Sequence, residues 1–268
     1  MFVEYTGRFV FERGLIFMTQ SSIQIQAHRG ASAYAPENTL PAFQKALDMH
    51  ADGIETDIHL TADGVFVICH DGELGRTSNG TGQIAALTLA ELRQYDFGSW
   101  FSPAFAGTRI PTLEELLALV QNMEVINIEI KGLGRPGTNP EQALQQLIAQ
   151  LDAFGCTGRT ILSSFRHDWL LQAKTLAPQL RTGLLYDRAY SPDETLRLVR
   201  EYQADAIHPS LRVLTPEIME TCREHGIAVN VWTVDEPDAI KKALEYHVTG
   251  IITNVPDRAI ALRDMRRG

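Results

Sequence analysis

A short apolar strand, a turn and then a helix recur from Ile23 to the end of the chain, and this alternation constrains the fold more than any other feature. The spacing predicts strands over 23–28, 53–58, 125–131, 160–164, 182–186, 205–209, 227–232 and 249–253. It predicts helices over 39–49, 112–121, 139–153, 166–176, 192–202, 216–225, 236–244 and 256–265. Strands that alternate with helices pair in parallel, because each helix supplies the crossover that parallel neighbours need. Eight of each close a ring, so the predicted fold class is α/β, a (β/α)8 TIM barrel. The helix starts agree with this. Asn139-Pro140, Ser191-Pro192 and Thr215-Pro216 each put a capping side chain before a proline at the first helical position. Thr112 with Glu115, and Ser191 with Glu194, have capping-box spacing.

One apolar segment, Val65 to Cys69, is left over. It follows 53–60 across the turn Thr61-Ala62-Asp63-Gly64, which is too short for a parallel crossover. The stretch 65–70 is therefore expected to return antiparallel and carry His70 back towards Glu55. Residues 71–111 then break the repeat with Gly, Ser, Thr and aromatic residues and a short helical stretch near 88–94. They are expected to form a small insertion after the β-hairpin, at the barrel mouth where this architecture builds its binding surface. Phe97, Trp100, Phe101 and Phe105 are expected to fold the insertion onto the barrel rather than to make a lipid-facing rim.

The barrel domain is expected over 23–268, preceded by an N-terminal extension, 1–22, that is disordered or lies upstream of the natural start, with Met18 as the candidate first residue. Glu4, Glu12 and Arg13 interrupt its apolar residues, so the extension suits neither a signal peptide nor a spanning helix. The formal net charge is −9 and there is no basic stripe, which excludes nucleic acid and stable membrane anchoring. Cys69, Cys156 and Cys222 fit no zinc motif and read as buried free thiols of a reducing compartment, so a cytoplasmic location is expected.

Two strands carry chemistry. In 53–58, Glu55 and Asp57 share one face and Ile54, Thr56 and Ile58 the other. In 125–131, Asn127, Glu129 and Lys131 share a face opposite Ile126, Ile128 and Ile130. If the isoleucines face the helices, three carboxylates point into the barrel, where a divalent cation would offset their repulsion. Oxygen ligands suit Mg²⁺ or Ca²⁺ rather than Zn²⁺, with Mg²⁺ favoured for an intracellular protein. An interior ion network is the competing reading of Glu129 and Lys131. His28 and Arg29 end the first strand, and His70 arrives from the hairpin, so two imidazoles and two cations converge on the same mouth. Arg29 suits bidentate contact with phosphate oxygens. Asn38 or Thr39 is a plausible helix cap, and Glu37 is expected to orient a site residue. Trp232 either packs against a ligand or fills core, and Phe165 is a weaker case of the same kind. His208, His225 and His247 are read as structural.

In ordered combination, His28-Arg29-Gly30, Pro36-Glu37-Asn38-Thr39, Glu55-Thr56-Asp57, His70-Asp71, Glu129-Ile130-Lys131, Val231-Trp232-Thr233-Val234 and Gly250-Ile251-Ile252-Thr253-Asn254 resemble the glycerophosphodiester phosphodiesterase family, of the cytosolic bacterial type. The match runs over roughly 23–262. The resemblance implies a TIM barrel, a small glycerophosphodiester substrate and release of glycerol 3-phosphate. It implies His28 and His70 as the catalytic pair, Glu55, Asp57 and Glu129 as ligands of one divalent cation, and Arg29 and Lys131 near the phosphate. The expected route has glycerol's 2-hydroxyl attack phosphorus to form a cyclic phosphate, with direct attack by water as the competitor. Cys69, Thr249 and Asn254 depart from the residues frequent in the family, and no proposed ligand is lost. Competing readings are a phospholipase D-like enzyme acting on lysophospholipids and a catalytically silent phosphate-binding protein. A homo-oligomer is compatible with the sequence.

Overall fold

The computed structural model describes residues 23–266. The expectations for 1–22 lie outside the described residues. The strands are β1 (Gln24–His28), β2 (Gly53–Leu60), β3 (Phe66–Ile68), β4 (Val125–Gly132), β5 (Thr160–Ser164), β6 (Arg181–Tyr186), β7 (Ala206–Pro209), β8 (Ala228–Val231) and β9 (Gly250–Thr253). The helices are α1 (Leu40–Asp48), α2 (Leu89–Leu92), α3 (Leu113–Leu119), α4 (Pro140–Ala153), α5 (His167–Leu176), α6 (Pro192–Glu201), α7 (Pro216–Glu224), α8 (Pro237–Glu245) and α9 (Pro256–Met265).

β1, β9, β8, β7, β6, β5, β4 and β2 pair in that order, and β1 pairs with β2 to close the ring. All eight junctions are parallel, which is the predicted TIM barrel. β3 lies outside it, antiparallel to β2, with Ile68 opposite Ile58. The return strand is shorter than the expected 65–70. Past Ile68, Cys69 N still donates to Asp57 O at 3.0 Å, and the chain then leaves the ladder, bringing the His70 side chain to the barrel mouth.

The capping expectations hold. Thr112 and Ser191 each form a complete capping box, and Asn139 and Thr215 accept from the first-turn N–H groups of Glu141 and Ile218. α1 is different. Thr39 stands at its N-cap but makes no side-chain cap bond, because its hydroxyl donates to Pro36 O at 2.6 Å, and Asn38 is committed elsewhere.

Ile54, Ile58, Ile126, Ile128 and Ile130 pack outward with Phe43, Leu113, Leu116, Leu117, Leu144 and Leu147 of the helices. The acidic faces of β2 and β4 therefore point inward, as alternation requires. The insertion packs Leu74, Ile84, Leu92, Phe97 and Ile110 against Val67 and Cys69 of the return segment in a second small core. Of the four aromatics expected to fold it down, Phe97 does so. Trp100, Phe101 and Phe105 instead stack edge to face on one another, and Trp100, whose Nε1 donates to Phe97 O, stays 42% exposed. The three cysteines are buried and free.

Below the mouth the barrel interior is polar. Ser163 Oγ donates to Asn127 Oδ1 (2.9 Å), Asn127 Nδ2 to Gln26 Oε1 (3.1 Å), and Asn230 Nδ2 meets His208 Nε2 (2.9 Å). Burial pushes His208 down to about 3, so it is a neutral hydrogen-bond acceptor there. Glycines make room for these groups: a Cβ at Gly183 would overlap the His208 ring, and one at Gly250 would overlap Asn230 Oδ1. Gly183→Ala should therefore overpack the barrel and lower stability by about 2 kcal/mol, measurable as a shift in the urea midpoint with unchanged slope.

Candidate active site

β2 delivers Glu55 and Asp57, and β4 delivers Glu129. One ligand atom from each of Glu55, Asp57 and Glu129 can be chosen so that all lie within 4.8 Å of one another, and all three residues are buried. Crowded, dehydrated carboxylates resist ionisation. Burial first, and then the neighbouring charge of Asp57, pushes Glu129 up to about 7 and Glu55 well above the usual carboxylate range. Asp57 Oδ1 is buried without a hydrogen-bond partner. An orphaned carboxylate oxygen among crowded acids is what a hard cation would satisfy, so the donor set fits one divalent ion.

The rest of the cluster is cationic. Arg29 Nε lies 3.4 Å from Asp57 Oδ2, and Lys131 Nζ lies 3.0 Å from Glu129 Oε1 and 3.9 Å from Asp57 Oδ1. Lys131 owes its place to a β-bulge. Ile58 pairs with Ile130 but His59 pairs with Gly132, so Lys131 is the extra residue. Arg29 adopts φ 55°, a left-handed conformation, and its N–H donates to Glu55 O at 2.8 Å. The following Gly30, at φ 81°, sits so close to α1 that a Cβ would strike the Ala42 carbonyl.

Both predicted histidines reach this mouth with their tautomers fixed by neighbours. His28 Nδ1 lies 2.7 Å from Asn254 Oδ1. The amide is oriented by its Nδ2, which donates to Asp235 Oδ2 at 2.6 Å, so its oxygen must accept from His28. His28 therefore carries its proton on Nδ1 and presents Nε2, 3.8 Å from Glu55 Oε2. Burial, and then the charge of Arg29, push His28 down to about 4. His70 Nδ1 donates to Asp71 Oδ1 at 2.6 Å, and its Nε2 accepts from Lys131 Nζ at 3.1 Å. His59 Nε2 donates to the His70 carbonyl at 3.1 Å and holds the backbone beneath that ring.

Glu37 accepts from Arg29 Nη1 at 2.7 Å. Asn38 corrects the capping reading. At φ 57°, its Nδ2 donates to Asp57 Oδ2 (2.8 Å) and its Oδ1 accepts from Thr56 (3.0 Å), so it braces the acidic cluster rather than α1. Trp232 lies just past β8, donates from Nε1 to His208 O at 2.7 Å, and meets Phe165 edge to face at 5.8 Å. These two aromatics wall the same pocket that His28, Arg29, Glu55, His70, Glu129 and Lys131 line. Asn254, Asp235, Arg76 and His59 belong to this network without having been singled out as site residues. Of these, only Asn254 gave a signal in the sequence, as a departure from a frequent aspartate. Of the other two departures, Thr249 accepts from Val229 N at 3.0 Å and serves the sheet, and Cys69 is a buried free thiol.

Comparison with known proteins agrees with this geometry. The glycerophosphoryl diester phosphodiesterase family model matches residues 28–258. A glycerophosphodiester phosphodiesterase of Caldanaerobacter subterraneus subsp. tengcongensis is 38% identical over 245 residues, covering 90% of this chain and 97% of the relative. One of Bacillus subtilis is 34% identical, covering 86% and 83% respectively. Among solved structures, an Oleispira antarctica phosphodiesterase in complex with the product sn-glycerol-3-phosphate superposes with a TM-score of 0.83 at 27% identity, covering 91% of this chain and 97% of the other. With a barrel of the expected topology, a mouth bearing the expected groups and relatives matched over nearly their whole length, the chain is an enzyme of the glycerophosphoryl diester phosphodiesterase family.

Proposed function

We propose that this mouth hydrolyses small glycerophosphodiesters to glycerol 3-phosphate and an alcohol, with one divalent cation and two histidines. The observation that carries the reading is the convergence of three buried carboxylates, two cations and two imidazoles, each held through its Nδ1, at a single barrel mouth. Glu55, Asp57 and Glu129 would hold the cation, which when bound supplies positive charge to polarise the phosphodiester. Mg²⁺ is favoured over Ca²⁺, because three protein ligands suit an ion that keeps several waters better than one that takes six to eight oxygens.

Arg29 and Lys131 supply the remaining positive charge at the phosphate. Their carboxylate partners hold them in place, which is preorganisation of the kind that favours a charged transition state. One histidine Nε2 takes the proton of the glycerol 2-hydroxyl as that oxygen bonds to phosphorus. The other histidine, entering as the imidazolium, gives its Nε2 proton to the departing alcohol oxygen. Water then opens the cyclic phosphate with the two roles exchanged. Trp232 and Phe165 shield the glycerol carbons and exclude water from that wall.

Release of glycerol 3-phosphate from glycerophosphocholine should be abolished by chelator and restored by Mg²⁺. Folded protein with no turnover under any ion would point to the silent phosphate binder. Preference for lysophosphatidylcholine over glycerophosphocholine would point to the lysophospholipid enzyme. His28→Ala and His70→Ala should each lower kcat by about 10²–10⁴-fold. A substrate lacking the 2-hydroxyl should not turn over if the cyclic route operates, and unchanged turnover would establish direct attack by water.

The cation should also show in stability. Glu129 is at about 7 in the fold against an ordinary 4.5, so the metal-free fold binds more protons than the unfolded chain between those values. Its contribution to stability is therefore lost as pH rises from 4.5 through about 7. Because the cation competes with these protons, Mg²⁺ should raise Tm more at pH 8 than at pH 5. Thermal melts with chelator or Mg²⁺, repeated on Glu129→Gln, check this. An equal Mg²⁺ effect at both pH values would contradict it.

A further inference from the structure

Arg76 lies in the insertion, outside any helix or strand. Its Nε donates to Asp71 Oδ2 at 2.5 Å, its Nη1 to Glu37 Oε2 at 2.9 Å and its Nη2 to Glu37 Oε1 at 2.8 Å. Glu37 Oε1 also accepts from Arg29 Nη1 at 2.7 Å, and Asp71 Oδ1 from His70 Nδ1 at 2.6 Å. One planar guanidinium thus holds two carboxylates from separate segments, one behind Arg29 and the other behind His70. The two carboxylates are both acceptors when ionised, so no direct hydrogen bond joins them. The fork supplies the link, and a lysine ammonium has no equivalent geometry. Burial would push the Glu37 carboxyl up, yet the bonds from Arg76 and the charge of Arg29 hold it down at about 2. Arg76 itself is 46% exposed, where an ion pair in isolation stabilises a fold very little. Its contribution is to geometry.

We propose that Arg76 is a positioning residue that locks Arg29 and His70 into one unit, so that the insertion sets the phosphate-side cation and a proton-transferring imidazole together. This rests on the reading that Arg29 and His70 act on the phosphodiester. Arg76 acts through Glu37 and Asp71 and is given no contact with substrate. Because small misplacements in a reacting constellation are costly, Arg76→Met should lower kcat/KM by about tenfold to a hundredfold.

The decisive experiment is a double-mutant cycle of Glu37→Gln and Asp71→Asn, run with Arg76 present and again with Arg76→Met, using glycerophosphocholine and saturating Mg²⁺. With Arg76 present, the double variant should depart from the product of the single effects by about threefold or more in kcat/KM. In the Arg76→Met background that departure should vanish. A merely structural Arg76 would lower the activities without changing how the two sites combine. Additivity with Arg76 present, or coupling that persists without it, overturns the proposal. Circular dichroism and thermal melts screen every variant. If Arg76→Met does not fold, Arg76→Lys takes its place, since it keeps the charge but not the fork, and the same loss of coupling is expected. Arg29→Ala and His70→Ala, assayed in parallel, distinguish the two levels. Unchanged turnover in both would sink the functional reading and this proposal with it, whereas additivity beside inactive single variants would sink this proposal alone.

Discussion

Three carboxylates held inside a closed sheet repel one another, and much of the upper barrel is arranged around that repulsion. Glu55, Asp57 and Glu129 are fixed by the register of β2 against β4, where Glu55 stands beside Asn127 and Asp57 beside Glu129. They cannot swing out to water without undoing the ladder. Compensation must come to them instead, and it comes from the Arg29 and Lys131 charges, the Asn38 amide and the Arg29 backbone N–H, which donates to Glu55 Oε2 at 3.2 Å. The unusual backbone follows from the same demand. Arg29 and Asn38 both adopt left-handed conformations, which bring a loop close enough to donate into the cluster.

The parts of this arrangement legible in the sequence are those governed by short-range periodicity. Alternation placed Glu55 and Asp57 on one face and Glu129 and Lys131 on another, and an apolar set on each opposite face told which side was inward. Chain connectivity placed His70, because a four-residue turn permits only an antiparallel return. The illegible parts are contacts whose partners lie far apart. Asn38 has the composition of a helix cap, and local rules assign it there. Only the tertiary approach of β2 gives its side chain a stronger claimant in Asp57. Asn254 and Asp235 support His28 from the far end of the chain, and Arg76 sits in a segment with no periodicity to read. The bulge at Lys131 was hidden for another reason: it leaves residue identities unchanged and alters only the pairing.

The insertion shows a similar division. Its aromatic content signalled packing, yet composition did not say which rings would be inside. Phe97 joins Val67, Ile84, Leu92 and Ile110, while the indole N–H of Trp100 bonds to a nearby carbonyl and keeps that ring at the surface. The polar interior has its own logic. Gln26, Asn127, Ser163, His208 and Asn230 hydrogen-bond among themselves where aliphatic layers are usual in this architecture, although His208 Nδ1 is left buried without a partner, and glycines on neighbouring strands give them space.

The seam of the barrel carries a temporal consequence. His28 ends the first strand, and the amide that orients it follows the last, 226 positions later. During synthesis the early strands would emerge with Glu55, Asp57, His70 and Glu129 already encoded, but the imidazole of His28 would lack its partner until β9 had docked beside β1. Completion of the active mouth and closure of the ring are therefore the same event, so a nascent or C-terminally clipped chain would hold most of the chemistry without its alignment.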